Sequence, residues 1–530
     1  MKAHWRAALA AALVVAACGR PAGERTIRLV EAGESASARW PFSGHRPPPQ
    51  GLRISDLGSL PAPGAVVDVI MYDGDGDYDS RAAVALPRGG RYRFELEAPA
   101  GSELRLALGY VVPENPDGEM RYMVRAAPQG ENGEPGEFET LLDEAVPLRA
   151  KGSWLDRTIP LDRWAGRPIV LELRVPGRRN GERDTEWAAF ANPEILPRRP
   201  ERLGPNVILI SLDTLRADHL GCYGYERPTS PNLDRLAQGG FRFATAISQA
   251  PWTRPSHRAM LRGQYPLSHG PTVTPQLPLT LWKEGYRTGA ITGGGQISFR
   301  FGFHEGFETF RQTDWVRTLS DVTEWLDEQP ERSFFLLLHT FEIHDPYGHA
   351  ELAEGLPSGR IKPGFGKSTW WKMRDSTITP EERTYIEALY DSGIRFTDDA
   401  LGRLFEALDD RGILDRSIVV VTSDHGEQFW EHGSWRHGGN VFEEMIHVPL
   451  IVHLPPGLTE GRPGRVVRQQ VSSIDIVPTV LDLLGMAARR APRDAASGRC
   501  STGPRRPTRP PPSASTPTSR ARARACAPAG

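Results

Sequence analysis

A few reactive side chains of this chain stand where an enzyme would use them. Asp213 follows the apolar run 206–212, Asp424 and His425 follow 418–422, and His344 comes soon after the run that ends at His339. Thr253 lies just ahead of Pro255, where a helix is expected to begin. In open α/β sheets, ligands gather beyond the carboxyl ends of the strands, because loops converge there and helix N-termini aim free N–H groups at an anion. A threonine hydroxyl at such a place is a nucleophile only once something removes its proton, and a metal ion is one way to do so.

Those positions presuppose a particular scaffold. The run 206–212 is unbroken and apolar, as in strands buried on both faces of a parallel sheet, and similar runs recur at 287–292, 334–339, 418–422 and 448–453. Helical patterns lie between them. Ser230-Pro231 offers an N-cap followed by proline, and Thr379-Pro380-Glu381-Glu382 opens a long amphipathic helix towards Arg411. The alternation predicts a doubly wound α/β domain over 206–486. Upstream, 65–196 shows short alternating stretches such as 92–97, 104–108 and 169–175, punctuated by Gly and Pro, which predicts an antiparallel β-sandwich. Residues 197–205, rich in arginine and proline, read as a linker, and 19–64 as a Pro-, Gly- and Ser-rich tether.

Lys2 and Arg6 precede an apolar run at 7–17 that ends Val15-Ala16-Ala17-Cys18, the pattern of a lipoprotein-type signal over 1–18. Cys18 would then carry lipid and tether the protein to a bacterial cell envelope, in the periplasm or on the outer surface. From Ser497 on there is no Val, Ile, Leu, Met, Phe, Tyr or Trp and no acidic residue, so 487–530 reads as a low-complexity basic tail. With only six lysines among 64 basic residues, a frameshift in a GC-rich gene would also produce it.

The net charge of -2 gives no electrostatic case for nucleic acid, and four scattered cysteines support neither a disulfide framework nor a zinc knuckle. The tract Asp73-Gly74-Asp75-Gly76-Asp77-Tyr78-Asp79 lacks the closing Glu of a calcium loop and reads as a solvated acidic turn. His339, His432 and His447 read as hydrogen-bonded scaffold residues.

The segment Trp252-Thr253-Arg254-Pro255-Ser256-His257-Arg258-Ala259-Met260-Leu261-Arg262-Gly263 resembles the sulfatase signature, which opens on Cys or Ser, then Pro-Ser-Arg, and closes on Gly. Together with Asp213-Thr214-Leu215-Arg216, His344-Asp345-Pro346-Tyr347 and Asp424-His425-Gly426-Glu427, in family order, it makes 206 to about 485 similar to the sulfatase branch of the alkaline-phosphatase superfamily. The resemblance implies that Asp213, Asp424 and His425 hold one divalent ion (Ca, Mg, Mn or Zn), with Thr253 as nucleophile and fourth ligand. It also implies His344 at the leaving oxygen, His437 against the oxygens of the transferred group, and His257 or Arg258 as added positive charge towards substrate.

Three departures bear on the chemistry. Thr253 replaces the Cys or Ser whose Cβ becomes an aldehyde, and its methyl forbids that conversion. His257 replaces the signature arginine. Thr214 stands where the family often has a second acidic ligand, which admits zinc or manganese as readily as calcium or magnesium. The implied activity is a metal-dependent hydrolase of sulfate or phosphate esters, of sulfuric ester hydrolase type with phosphodiesterase activity open, acting on a sulfated or phosphorylated glycan or a small ester. The alternatives are a phosphoryl-group transferase acting on envelope lipid or glycan, and a non-catalytic glycan-binding lipoprotein. The related envelope transferases are membrane-embedded, and no transmembrane run follows the signal.

Overall fold

The computed structural model describes residues 27–28, 37–39, 52–53, 66–72, 78–111, 118–130, 132–149, 153–177, 187–197, 203–266, 276–373, 378–459 and 464–486. The signal with Cys18, most of the tether, the acidic tract up to Asp77, the middle of the linker and the tail 487–530 lie outside the described residues.

The N-terminal strands are β1 (Tyr78–Pro87), β2 (Arg91–Glu97), β3 (Ser102–Val111), β4 (Glu119–Pro128), β5 (Glu139–Pro147), β6 (Leu155–Pro160), β7 (Pro168–Arg174) and β8 (Trp187–Pro197). They form an antiparallel sandwich: β2, β7, β4 and β5, with the short strand Ser37–Arg39 beside β2, make one sheet, and β6, β3, β8 and β1 belong to the other. Burial along β4 alternates, as it must where one face packs inward and the other meets water.

The C-terminal part is built on β9 (Asn206–Leu212), β10 (Arg287–Thr292), β11 (Thr309–Gln312), β12 (Phe334–Thr340), β13 (Ser417–Thr422) and β14 (Leu450–His453). Strands β11, β10, β12, β9 and β13 run parallel in that spatial order, and β14 closes antiparallel on β13. Every residue of β9 is buried. Its alternate side chains serve opposite faces: Ile208 and Ile210 join a core with Leu389 and Leu401, while Val207 and Leu209 join one with Met260 and Leu261. Met260 and Leu261 belong to helix α2 (Thr253–Arg262) and Leu389 and Leu401 to helix α4 (Pro380–Asp410), with α1 (Pro231–Gly239) ahead of α2 and α3 (Lys367–Met373) ahead of α4 in the chain. Thus α2 and α4 cover opposite faces of the sheet. Helix α4 starts on the capping box expected from its sequence, with Thr379 Oγ1 accepting from Glu382 N at 3.2 Å and Glu382 Oε2 accepting from Thr379 N at 3.0 Å.

The linker expectation suggests two separate bodies, whereas the sandwich and the α/β part share one sheet. Strand β1 pairs antiparallel with β11 through Phe310↔Ser80, Arg311↔Asp79 and Gln312↔Tyr78. This pairing satisfies the edge of the parallel sheet, which would otherwise present a row of open N–H and C=O groups. A buried ion cluster spans the same seam. Arg332, 3% exposed, reaches Glu194 Oε2 of β8 at 3.2 Å and Glu308 Oε1 at 3.3 Å. Replacing Arg332 by methionine removes that cation from two buried carboxylates, so about 3–5 kcal/mol of stability should be lost. Equilibrium urea unfolding checks this, and an unchanged midpoint would mean that the seam does not depend on the cluster.

Candidate active site

The turn after β9 is shaped to present Asp213. Thr214 takes φ 62°, a conformation that costs a β-branched residue energy. In return its N–H points at Asp424 Oδ1, 3.3 Å away, and its hydroxyl donates to the Asp213 carbonyl at 2.7 Å. Tyr390 of α4 fixes the turn from below, donating to Thr214 O at 2.8 Å and accepting from Arg216 N at 2.9 Å. Thr214 therefore contributes its backbone, and no ligand oxygen, to this site.

Asp213, Asp424 and His425 are wholly buried and meet at one point: a donor atom from each lies within 4.8 Å of the others. The Nδ1–H of His425 donates to Gly426 O at 2.9 Å, which leaves Nε2 as a bare lone pair. That Nε2 faces Asp213 Oδ1 at 3.7 Å and Asp424 Oδ2 at 3.4 Å, and neither oxygen has a hydrogen-bond partner. Three converging lone pairs in a dry site repel one another unless a cation sits among them. Burial, and then the neighbouring Asp424, push the Asp213 carboxyl up to about 7. Burial opposes ionisation of Asp424 too, but His425, His257 and His339 outweigh it and hold that carboxyl below its usual range. The residues fit a divalent ion on donor chemistry: two carboxylates and one neutral imidazole suit zinc or manganese and admit harder ions.

Thr253 is the first residue of α2, so the free N–H groups of the helix start lie around it. Its Oγ1 is 3.3 Å from Asp213 Oδ2 and 3.4 Å from His425 Nε2, beside the convergent donors. It also lines a cleft of about 580 Å³ with Trp252, Gly295, Gln296, Phe341, His344, Lys367, Arg436, His437 and Gly438. The His344 and His437 rings lie 4.9 Å apart, and His437 is 4.5 Å from His425. The Nδ1 of His344 is bonded to the Asp345 carbonyl, and the Nδ1 of His437 is 3.1 Å from Glu427 Oε1. Burial drives His437 down to about 4 and Glu427 up to about 7, so at neutral pH the imidazole is uncharged.

Two residues expected at the substrate lie elsewhere. His257 is fully buried under the site, with Nε2 accepting from Ser211 Oγ at 2.9 Å and Nδ1 bonded to Thr253 O at 2.9 Å. One helical turn beyond Thr253, it points into the core, where burial lowers it to about 4 and removes its charge. Arg258 turns away towards Phe301 O at 3.4 Å and is absent from the cleft lining. His339, read as scaffold, stands 3.4 Å from Asp213 Oδ2. Arg436, Trp252, Phe341 and Gln296 are cleft residues that the sequence did not point to. Proximity to Thr253 in the motif could have flagged Trp252, and proximity to His437 could have flagged Arg436.

A family model described as Sulfatase matches residues 205–486. An arylsulfatase of Clostridium perfringens is 24% identical over 358 residues, which span 52% of this chain and 74% of that protein. Human iduronate 2-sulfatase is 24% identical over 388 residues, 53% of this chain and 69% of its own length. Among solved structures, the phosphonate monoester hydrolase of Agrobacterium radiobacter aligns at 24% identity over 53% of this chain and 74% of that chain, with a TM-score of 0.41.

Proposed function

Since this chain belongs to the sulfatase family, we propose that it is a metal-dependent hydrolase of sulfate esters that uses Thr253 itself as nucleophile. The observation that carries the reading is the convergence of Asp213 Oδ1 and Asp424 Oδ2, both buried and without a hydrogen-bond partner, on the buried His425 Nε2, which lies 3.4 Å from the Thr253 hydroxyl. Asp213, Asp424 and His425 would hold the ion, which when bound offsets the carboxylates and acidifies a neighbouring hydroxyl. Thr253 Oγ1 passes its proton to Asp213 Oδ2, its acceptor at 3.3 Å, and attacks sulfur in line, the bond from sulfur to the alcohol oxygen breaks, and that oxygen leaves with a proton from His344. The bond from His344 Nδ1 to the Asp345 carbonyl leaves Nε2 for this transfer. With the Glu427 carboxyl raised to about 7, its protonated form donates to His437 Nδ1 and leaves the His437 Nε2–H to donate to the oxygens of the transferred group. Water then attacks sulfur and gives a proton to His344, the bond from sulfur to Thr253 Oγ1 breaks, and Thr253 Oγ1 takes back the proton held by Asp213.

The threonine side chain also favours a second reading. A formylglycine hydrate has a second hydroxyl with which to expel sulfate, and Thr253 has a methyl instead, so its ester is broken only by attack at the central atom. Phosphate diesters, which accept such attack readily, are the alternative substrate class. The signal-like segment with Cys18 supports an envelope location through a lipid anchor.

Turnover of aryl sulfates and bis-aryl phosphates, before and after chelation, tests the reading. Release of the aryl alcohol should stop with chelator and return with Zn, Mn, Ca or Mg. No chelator-sensitive release from either ester would defeat it and leave the glycan-binding alternative.

A further inference from the structure

The cleft is graded in depth. At its floor Thr253 is 4% exposed and the Asp213, Asp424 and His425 side chains are fully buried, whereas Trp252 is 42% exposed and Lys367 is exposed at the rim. With the transferred group at the floor, the alcohol half of an ester has to lie along the rim. The rim is not neutral. The Lys367 ammonium forms no ion pair with any described residue, and its charge together with that of Arg436 is felt by His437. Arg436 is held in a left-handed conformation at φ 82°, which a non-glycine residue adopts at a cost.

Asp345 joins these pieces. Its Oδ1 accepts from Arg436 Nε at 2.9 Å and Nη2 at 2.6 Å, and its Oδ2 accepts from the Lys367 backbone N at 2.8 Å. Its carbonyl fixes His344. Gly366 makes the approach possible, because a Cβ there would meet Pro346 Cα at 2.8 Å. One buried carboxylate therefore ties α3, the His344 loop and the Arg436 turn to the same wall. It engages only one edge of the Arg436 guanidinium and leaves Nη1 without a described partner.

Resting on the hydrolase reading above, we infer that Lys367 and Arg436 form a rim subsite for a second anionic group, a carboxylate or sulfate, carried by the alcohol half of the substrate. Asp345 is the positioning residue of that subsite, and the faces of Trp252 and Phe341 take the ring that bears the anion. The substrate class is then an ester of a ring alcohol that is itself anionic.

The test compares an aryl sulfate bearing a para-carboxylate with its para-carboxamide. The wild-type protein should favour the carboxylate by about five- to tenfold in kcat/KM, and both Lys367→Met and Asp345→Asn should bring that ratio close to one. A merely structural role would lower both esters by the same factor, and that result, or a wild-type ratio of one, overturns the inference. Calorimetric Kd values of the same two compounds on Thr253→Ala keep the questions apart. If the wild-type protein turned over neither ester, the hydrolase reading would fail while the Kd ratio still decided the subsite, a ratio near one overturning it and a preference lost in the Lys367→Met double variant supporting it.

Discussion

Thr253→Ala is expected to lower kcat/KM for aryl esters by about a thousandfold or more, while Thr253→Ser keeps most of the activity. The serine retains an oxygen beside Asp213 and His425 and loses only a methyl, so the pair of variants separates the attacking atom from packing. Both should unfold within a few degrees of the parent, because Thr253 is the first residue of α2 and caps nothing with its side chain. Steady-state kinetics with thermal melts check this. An alanine variant within tenfold of the parent would assign the nucleophile to another group.

Asp424→Asn should move function and stability in opposite directions. In the metal-free protein, Asp213 is pushed from 3.8 to about 7, first by burial and next by the Asp424 charge. A carboxyl raised in the folded state binds a proton there that the unfolded chain has already lost. Metal-free stability should therefore fall as pH rises from about 4 to about 7, with the full penalty present above 7. Asparagine at 424 removes the like charge and can keep the bonds from Thr214 N and His425 N through its own Oδ1. The metal-free variant should thus melt at or above the metal-free parent at neutral pH, with a flatter slope across that window. Its turnover should be lost, and added zinc or manganese, which should raise the parent's Tm by favouring the folded state, should scarcely shift that of the variant. Scanning fluorimetry across pH, with chelator and with metal, reads all of these, and an undiminished metal shift in the variant would place the ion elsewhere.

The parallel core was legible because its strands are buried on both faces, and burial of that kind writes an uninterrupted apolar run such as 206–212. The start of α4 was legible because a capping box is local. The shared sheet was not: β11 is four residues long with a polar end, and its pairing with β1 joins positions far apart in sequence. Within the site, Asp213, Thr253, Asp424 and His425 come together because each sits at the end of a recognisable element. His257 shows the limit of motif reading. Beside a nucleophile in sequence it resembles a substrate cation, yet the helical turn between them sends it into the core against Ser211. Lys367 opens the short helix α3 and Arg436 sits in a turn, both in stretches whose sequences carry no period, and Asp345 brings them to the same wall.

Anomalous diffraction from crystals of the protein loaded with zinc or manganese tests the central claim most directly. One ion should appear at about 2.0–2.3 Å from oxygens of Asp213 and Asp424 and from His425 Nε2, with Thr253 Oγ1 in its coordination shell. A bound ion that excludes Thr253, or one held by other residues while these three remain without it, would contradict the claim.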